Sequence, residues 1–189
     1  METTPADAHA AGGGNRRLGE TYDPRTIRLH WTTAALVAAL WVIAQVIDDF
    51  PKGLPRVCAR STHIALGLLL LVVVVRRIAW RVRHGRRLAV PGPGWMSAAA
   101  AGAHHVLYAG LVTVLLLGMA NAWVRGDNLF GLFAIPRLLP GYPQLKPTIE
   151  SLHRILANAL VIVALLHALS ALWHHFWLKD NVLRRMLGR

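Results

Sequence analysis

The sequence predicts an all-α membrane protein, a bundle of four transmembrane helices, on three observations. The 189 residues are 54% hydrophobic and only 16% charged, with a mean hydropathy of +0.41, a balance that soluble domains of this length rarely carry. Four apolar stretches approach or exceed the length that crosses a hydrocarbon core, namely Leu29 to Ile47, Thr62 to Trp80, Ala99 to Val124 and Leu152 to Trp177. Within them apolar residues are continuous, as in "LGLLLLVVVV". A membrane β-barrel would instead need apolar and polar residues in strict alternation. Helices satisfy their backbone groups inside each segment, so helices are expected.

The elements follow in order. Residues 1–24 hold "METTPADAHAAGGGNRRLGE", which is rich in Gly, Ala and polar residues and lacks the apolar stretch of a signal peptide, so they read as a flexible cytoplasmic tail in which His9 is solvated. Residues 25–189 form one domain. The first and second spans are joined by a short segment, and "RVRHGRRLAVPGPGW", Arg81 to Trp95, punctuated by Gly and Pro, joins the second to the third. Arg125 to Glu150 is the longest connection, and no internal repeat is present.

Charge predicts orientation. Arg16, Arg17, Arg25, Arg28, Arg76, Arg77, Arg81, Arg83, Arg86, Arg87, Lys179, Arg184, Arg185 and Arg189 fall on the side of the termini. Lys52, Arg56, Arg60, Arg125, Arg137, Lys146 and Arg154 fall on the other, fourteen against seven. By the positive-inside rule both termini are cytoplasmic, in a membrane that borders the cytoplasm. The same basic rim accounts for most of the net charge of +12, and with no nucleic-acid motif present a nucleic-acid partner is not expected.

Cys58 is the sole cysteine, which leaves no internal disulfide, no iron–sulfur cluster and no thioether-linked haem. Histidine remains as the residue able to hold a cofactor. His30 opens the first span in "RLHW", His63 opens the second in "STHIAL", and the fourth carries His153 and His167. Ionisable groups at membrane depth are costly, and by default they mark function.

His153 and His167 are fourteen residues apart, about 3.9 helical turns, which returns them to within about 40° of one face and separates them by roughly 21 Å. Because neighbouring spans are antiparallel, His63 begins its helix level with His153, and His30 lies near the depth of His167. Two facing pairs are expected, His63 with His153 outside and His30 with His167 inside. Facing neutral imidazoles inside a helical bundle are what a six-coordinate b-type haem requires, and two pairs imply two haems.

Other readings of the same residues stand beside this one. A membrane histidine also serves as an interhelical hydrogen-bonding group. A haem-free, histidine-lined metal transporter would use them too, although metal-ion sites usually recruit carboxylates and the four spans contain no Asp or Glu. Small residues in "ALGLLL", "AAAAGAHHVLYAG" and "HALSALW" allow close packing around a planar cofactor, and equally ordinary helix contacts. His104 and His105 have no partner expected at their depth and read as supporting residues. Arg28 on the inner side, and Arg60 and Arg154 on the outer, are candidates to meet haem propionates, or cations that simply reach the membrane surface.

Taken together, "RLHW", "THIALG", "HHVLY" and "LHRILANALVIVALLHALSALWHHFWLKDNVLRRM" resemble the bacterial cytochrome b561 family of four-helix dihaem membrane cytochromes, across about residues 22–187. The most specific part is the pair of histidines fourteen apart followed by H-H-x3-K-D-N-x-L-x-R-M. The resemblance implies haem iron ligation by His30 and His167 within the inner pair and by His63 and His153 within the outer. It also implies a superoxide oxidase activity, with electrons passing from superoxide outside to ubiquinone. An outer rim of Lys52, Arg56, Arg60, Arg125 and Lys146 suits a small anion, although Asp48, Asp49 and Asp127 dilute that field.

A quinone site is implied near the His174–His175 motif. His174 is seven residues beyond His167, within about 20° of the same face and roughly 10 Å nearer the inner surface. Trp173, His174, Trp177 and Lys179 offer aromatic walls and donors, and they also fit an interfacial belt. The alternative within redox proteins is a cytochrome b membrane subunit that links a docked hydrogenase or dehydrogenase to the quinone pool. Only a stable hydrophilic redox partner separates the two.

Overall fold

The chain enters its first helix through a strong local signal. Asp23 adopts extended backbone before Pro24, and its Oδ1 accepts the backbone N–H groups of Arg25 and Thr26 at 3.1 and 3.0 Å. The Thr26 hydroxyl donates to Oδ2 at 2.5 Å. A carboxylate here satisfies otherwise orphaned donors, and proline fits the first helical position, where no N–H is needed. A computed structural model describes residues 21–84, 93–138 and 140–188. Most of the proposed tail, including His9, and most of the Arg81 to Trp95 loop lie outside them, whereas Tyr22, Asp23 and Pro24, placed in the tail from sequence, already belong to the folded part because Asp23 caps the first helix.

Four long helices follow: α1 Pro24–Val46, α2 Leu54–His84, α3 Gly94–Arg125 and α4 Leu145–Phe176. A 3-10 turn at Ile47–Asp49 joins the first two, a two-stranded hairpin of β1 Asn128–Leu129 and β2 Phe133–Ala134 lies between α3 and α4, and a short α5, Val182–Leu187, closes the chain. All four long helices meet the length and composition needed to cross a membrane. Helices α2, α3 and α4 extend past the apolar spans read from the sequence, because the hydrocarbon core limits the apolar run and not the helix. Arg81 and Arg83 stand on the part of α2 beyond its span, and Arg76 and Arg77 in the last turns of that span.

α1 packs closely on α2, and α3 on α4, while contacts between these two helical hairpins are sparser. The result is a seam running between the hairpins. Leu40, Leu70, Val74, Leu111, Leu115 and Leu160 form the buried centre, with Gly110 admitting the Leu160 methyl to 3.2 Å from where a Cβ would stand. Leu165, Leu166 and Leu169 instead remain 58%, 61% and 59% exposed, the outward apolar surface expected of a helix whose solvent is lipid. Between the long helices, Trp41 Nε1 on α1 donates across the seam to Asn158 Oδ1 on α4 at 3.0 Å.

Both ends of the described chain meet on one side, called here the terminal side. Tyr22 N–H donates to the Arg185 carbonyl at 3.2 Å, and Trp31 Nε1 donates to the Met186 carbonyl at 2.9 Å. On the opposite, loop side, α3 ends at Gly126, whose φ of +64° supplies the left-handed cap. The β-hairpin then folds onto α2 through Ser61, which is fully buried. Its hydroxyl accepts the Phe130 N–H at 2.8 Å and lies 2.7 Å from the Val57 carbonyl and 3.0 Å from that of Asn128.

Partial burial alone would raise the Asp23 carboxyl, but hydrogen bonds from the Thr26 hydroxyl and the Thr26 and Arg25 N–H groups outweigh it and hold the pKa below its ordinary 3.8. A lowered carboxylate pKa contributes stability above the unfolded value, and that contribution is lost as pH falls through the folded value. Asp23→Ala is expected to cost about 1 kcal/mol at neutral pH. Thermal melts in detergent should show the difference between wild type and variant shrinking toward zero below pH about 3.8.

Candidate functional site

Both expected histidine pairs meet across the seam. On the terminal side the rings of His30 on α1 and His167 on α4 have centroids 6.5 Å apart, at 70° to one another. On the loop side those of His63 on α2 and His153 on α4 are 6.3 Å apart, at 83°. Helix α4 supplies one member of each pair, and the opposing hairpin supplies the other. With metal–imidazole bonds of about 2.0–2.1 Å and about 1.1 Å from nitrogen to ring centre, trans imidazoles on one iron have centroids about 6 Å apart. The spacing therefore fits a single metal between each pair.

The supporting groups fit as well. His153 Nδ1 lies 3.0 Å from the Val114 carbonyl, which can only accept, so Nδ1 carries the proton and Nε2 is left as the metal-binding lone pair. His63 Nδ1 is buried and forms no hydrogen bond of good geometry, although the Leu40 carbonyl is near. Gly118 on α3 makes room for the His153 ring, because a Cβ there would stand 3.1 Å from Cε1. Gly67, one turn beyond His63, faces no heavy atom within 4 Å of a would-be Cβ, leaving space beside the imidazole for a planar group. Among the described residues no three His, Cys, Asp or Glu converge as an ordinary metal-ion site.

The expected supporting roles divide. His104 had no partner expected at its depth, but its ring lies 5.2 Å from that of His167, because α3 begins at Gly94 and brings it to the same level. His105 turns back to its own helix, 2.7 Å from the Ala101 carbonyl. Arg77, counted from sequence among the basic rim, instead faces inward, with Nη2 2.8 Å from His30 Nδ1. Its inward position is legible in hindsight, since it follows His63 by the same fourteen residues that separate His153 from His167.

At the loop-side rim, cations are paired. Arg60 and Arg125 approach Asp127 at 3.7 and 3.3 Å, Arg125 also meets Glu150 at 3.3 Å, and Arg56 meets Asp48 at 3.8 Å. Lys52, Lys146 and Arg154 make no ion pair among the described residues. Arg28, on the terminal side, is exposed and donates from Nε to its own helix at the Pro24 carbonyl, 3.3 Å away.

At the end of α4, His174 and Asp180 form a pair, with Nδ1 to Oδ2 at 2.5 Å. A turn through Lys179, with φ +52°, brings the carboxylate back, and the Asp180 N–H donates to the His174 carbonyl at 3.2 Å. Asp180 also accepts the Val182 N–H at 3.1 Å, at the start of α5. Sequence reasoning singled out His174 but not Asp180. Trp173 and Trp177 stack, with centroids 4.8 Å apart, and remain 53% and 72% exposed. His175 packs edge-on against Phe176.

Four apolar helices with facing imidazoles at two depths define a membrane electron-transfer protein of the b-type cytochrome class. Residues 21–189 match the family described as Prokaryotic cytochrome b561. The chain is 31% identical over 175 residues to a Yersinia pestis protein named probable superoxide oxidase CybB, covering 91% of this chain and 98% of that one. It is 32% identical over 167 residues to cytochrome b561 homolog 1 of Escherichia coli K12, covering 86% and 94%. It is 28% identical over 176 residues to a cytochrome b562 of Cereibacter sphaeroides, covering 88% and 94%. The chain belongs to the prokaryotic cytochrome b561 family, and is a multi-pass bacterial membrane protein.

Gly118→Ala should push the His153 ring by a few tenths of an ångström, because the new methyl meets it at 3.1 Å. Reduced-minus-oxidised spectra are expected to show a displaced or weakened α-band. Gly102→Ala, whose Cβ meets nothing within 4 Å, should leave the spectrum as in wild type.

Proposed function

We propose that this protein is a superoxide oxidase, carrying electrons from superoxide on the loop side to ubiquinone on the terminal side by way of two b-type haems. The observation that carries the reading is the pair of facing imidazole sets at two depths. Haem, when bound, supplies reversible one-electron chemistry. His63 and His153 would hold one such group near the loop side, and His30 and His167 would hold the other near the terminal side. The relative named a probable superoxide oxidase supports the choice of donor. The positive-inside rule puts the terminal side in the cytoplasm of a bacterium.

The residues divide the remaining work. Lys52, Lys146 and Arg154 attract the anionic donor, while the ion pairs of Arg56, Arg60 and Arg125 set the shape of the rim. Arg60 and Arg154 also remain the candidates for carboxylates of the loop-side group. Two superoxide anions give two dioxygen molecules and two electrons, and one ubiquinone takes those electrons with two protons to become ubiquinol. Asp180 accepts from His174 Nδ1, and in the imidazolium form of that ring Nε2–H faces the quinone, donates a hydrogen bond to its carbonyl and delivers a proton taken up from the cytoplasm. The Trp173–Trp177 stack and Lys179 border the same membrane level, where a quinone ring would enter from lipid.

A pyridine haemochrome assay on the purified chain should return two haems per polypeptide, and alanine at His30, His63, His153 or His167 should disturb the pair to which each belongs. Stopped-flow mixing with superoxide should reduce the wild-type protein and then a water-soluble ubiquinone. His174→Ala is expected to slow quinone reduction by about 100-fold, and Asp180→Asn by roughly tenfold, with haem content and reduction by superoxide unchanged. A colourless, well-folded protein from haem-replete cells would overturn the reading. Haem reduction that requires a co-purifying dehydrogenase would replace the proposed donor.

A further inference from the structure

Arg77 is a membrane-level cation with no acid beside it. Its guanidinium sits 5.1 Å from the centre of the Tyr108 ring, and that of Arg81 sits 5.8 Å from the same ring. Among the described residues neither arginine has a carboxylate partner. Arg77 Nη2 lies 2.8 Å from Nδ1 of His30, and the Tyr108 phenol oxygen, a neutral group, also meets the guanidinium. His167 and His104 complete the surroundings and bring no negative charge. Arg77 is half-buried while Arg81 is exposed, and a guanidinium held away from water without a counter-charge is costly, so Arg77 calls for an anion.

Tautomer chemistry narrows which anion. A guanidinium only donates, so His30 Nδ1 accepts in this contact and its proton sits on Nε2. An imidazole that gives Nε2 to a metal carries its proton on Nδ1, and it cannot accept there. Metal ligation by His30 therefore releases the Arg77 donors, which need another acceptor within reach of the same ring. A b-type haem brings two carboxylates, and guanidinium matches a carboxylate with two parallel hydrogen bonds.

We propose that Arg77, with Arg81 beside it on the Tyr108 ring, is the carboxylate-binding site for the haem held by His30 and His167. The assignment rests on the proposed ligand pair. It differs from the expectation that Arg28 fills this role, since Arg28 is exposed and bonded to its own helix. A cation beside the carboxylates favours the reduced, less positive haem, so Arg77 also raises the affinity of that site for an electron.

Redox titration and resonance Raman spectra of purified Arg77→Gln and Arg77→Lys test this. In Arg77→Gln one of the two haem components should become harder to reduce, with its reduced-to-oxidised ratio at fixed ambient potential falling by about tenfold, the scale of one charge-assisted hydrogen bond. The other component should keep its potential. The propionate-bending band should shift in the same variant, and Arg77→Lys should restore the potential in part without restoring the band. A fall in potential with unmoved propionate bands would assign the guanidinium to a lipid phosphate and overturn the inference, as would two unchanged potentials. Wild type carrying a single haem would instead remove the ligand assignment on which it rests.

Discussion

Lipid offers no hydrogen bonds, and that constraint organises the whole molecule. Every backbone group within the hydrocarbon must be satisfied inside its own segment, so each span is a helix. Polar side chains are then driven into the seam, since the outer surface belongs to exposed Leu and Val. Trp41 finds Asn158 there, His153 finds the Val114 carbonyl, and the remaining imidazoles face one another. In water the same side chains could turn outward at little cost. In lipid the seam is their place, and the two levels of imidazole are the most polar features within it.

The division into two helical hairpins follows from the same balance. α1 with α2 and α3 with α4 pack closely, using small residues such as Gly110 and Gly118. The seam between them is filled by the shared Leu and Val centre and by the two levels of facing imidazoles. A cofactor held by both imidazole pairs would join the halves, and ligation and folding would then be linked in the way usual for sites formed by separate elements. The loop side is secured independently by Ser61, which ties the β-hairpin to α2. Its counterpart on the terminal side is the α5 segment, fastened to α1 through Trp31.

Charge plays different parts at the two faces. Around Asp127 and Glu150 the loop-side arginines are largely neutralised, which leaves a patterned rim and not a uniform positive field. On the terminal side, Asp180 pairs with His174, while Arg77 and Arg81 have no acid partner among the described residues. The basic excess read from the chain is real in sum, but its local effect depends on which cations have partners. Exposed pairs contribute little to stability, so their main consequence is electrostatic shaping at the surface.

The sequence by itself determined the number of spans and the levels of the four paired histidines, because hydrocarbon thickness sets the apolar run and helical periodicity sets the face. It also carried the family, through motifs spread along nearly the whole chain. Tertiary structure alone decided that Arg77 meets His30, that His104 lies level with His167, and that Asp180 reaches back to His174. The physical reason is that spacing along one helix fixes only depth and angle. Which groups meet across a seam depends on where neighbouring helices begin, and on a turn such as Lys179 that reverses the chain within a few residues.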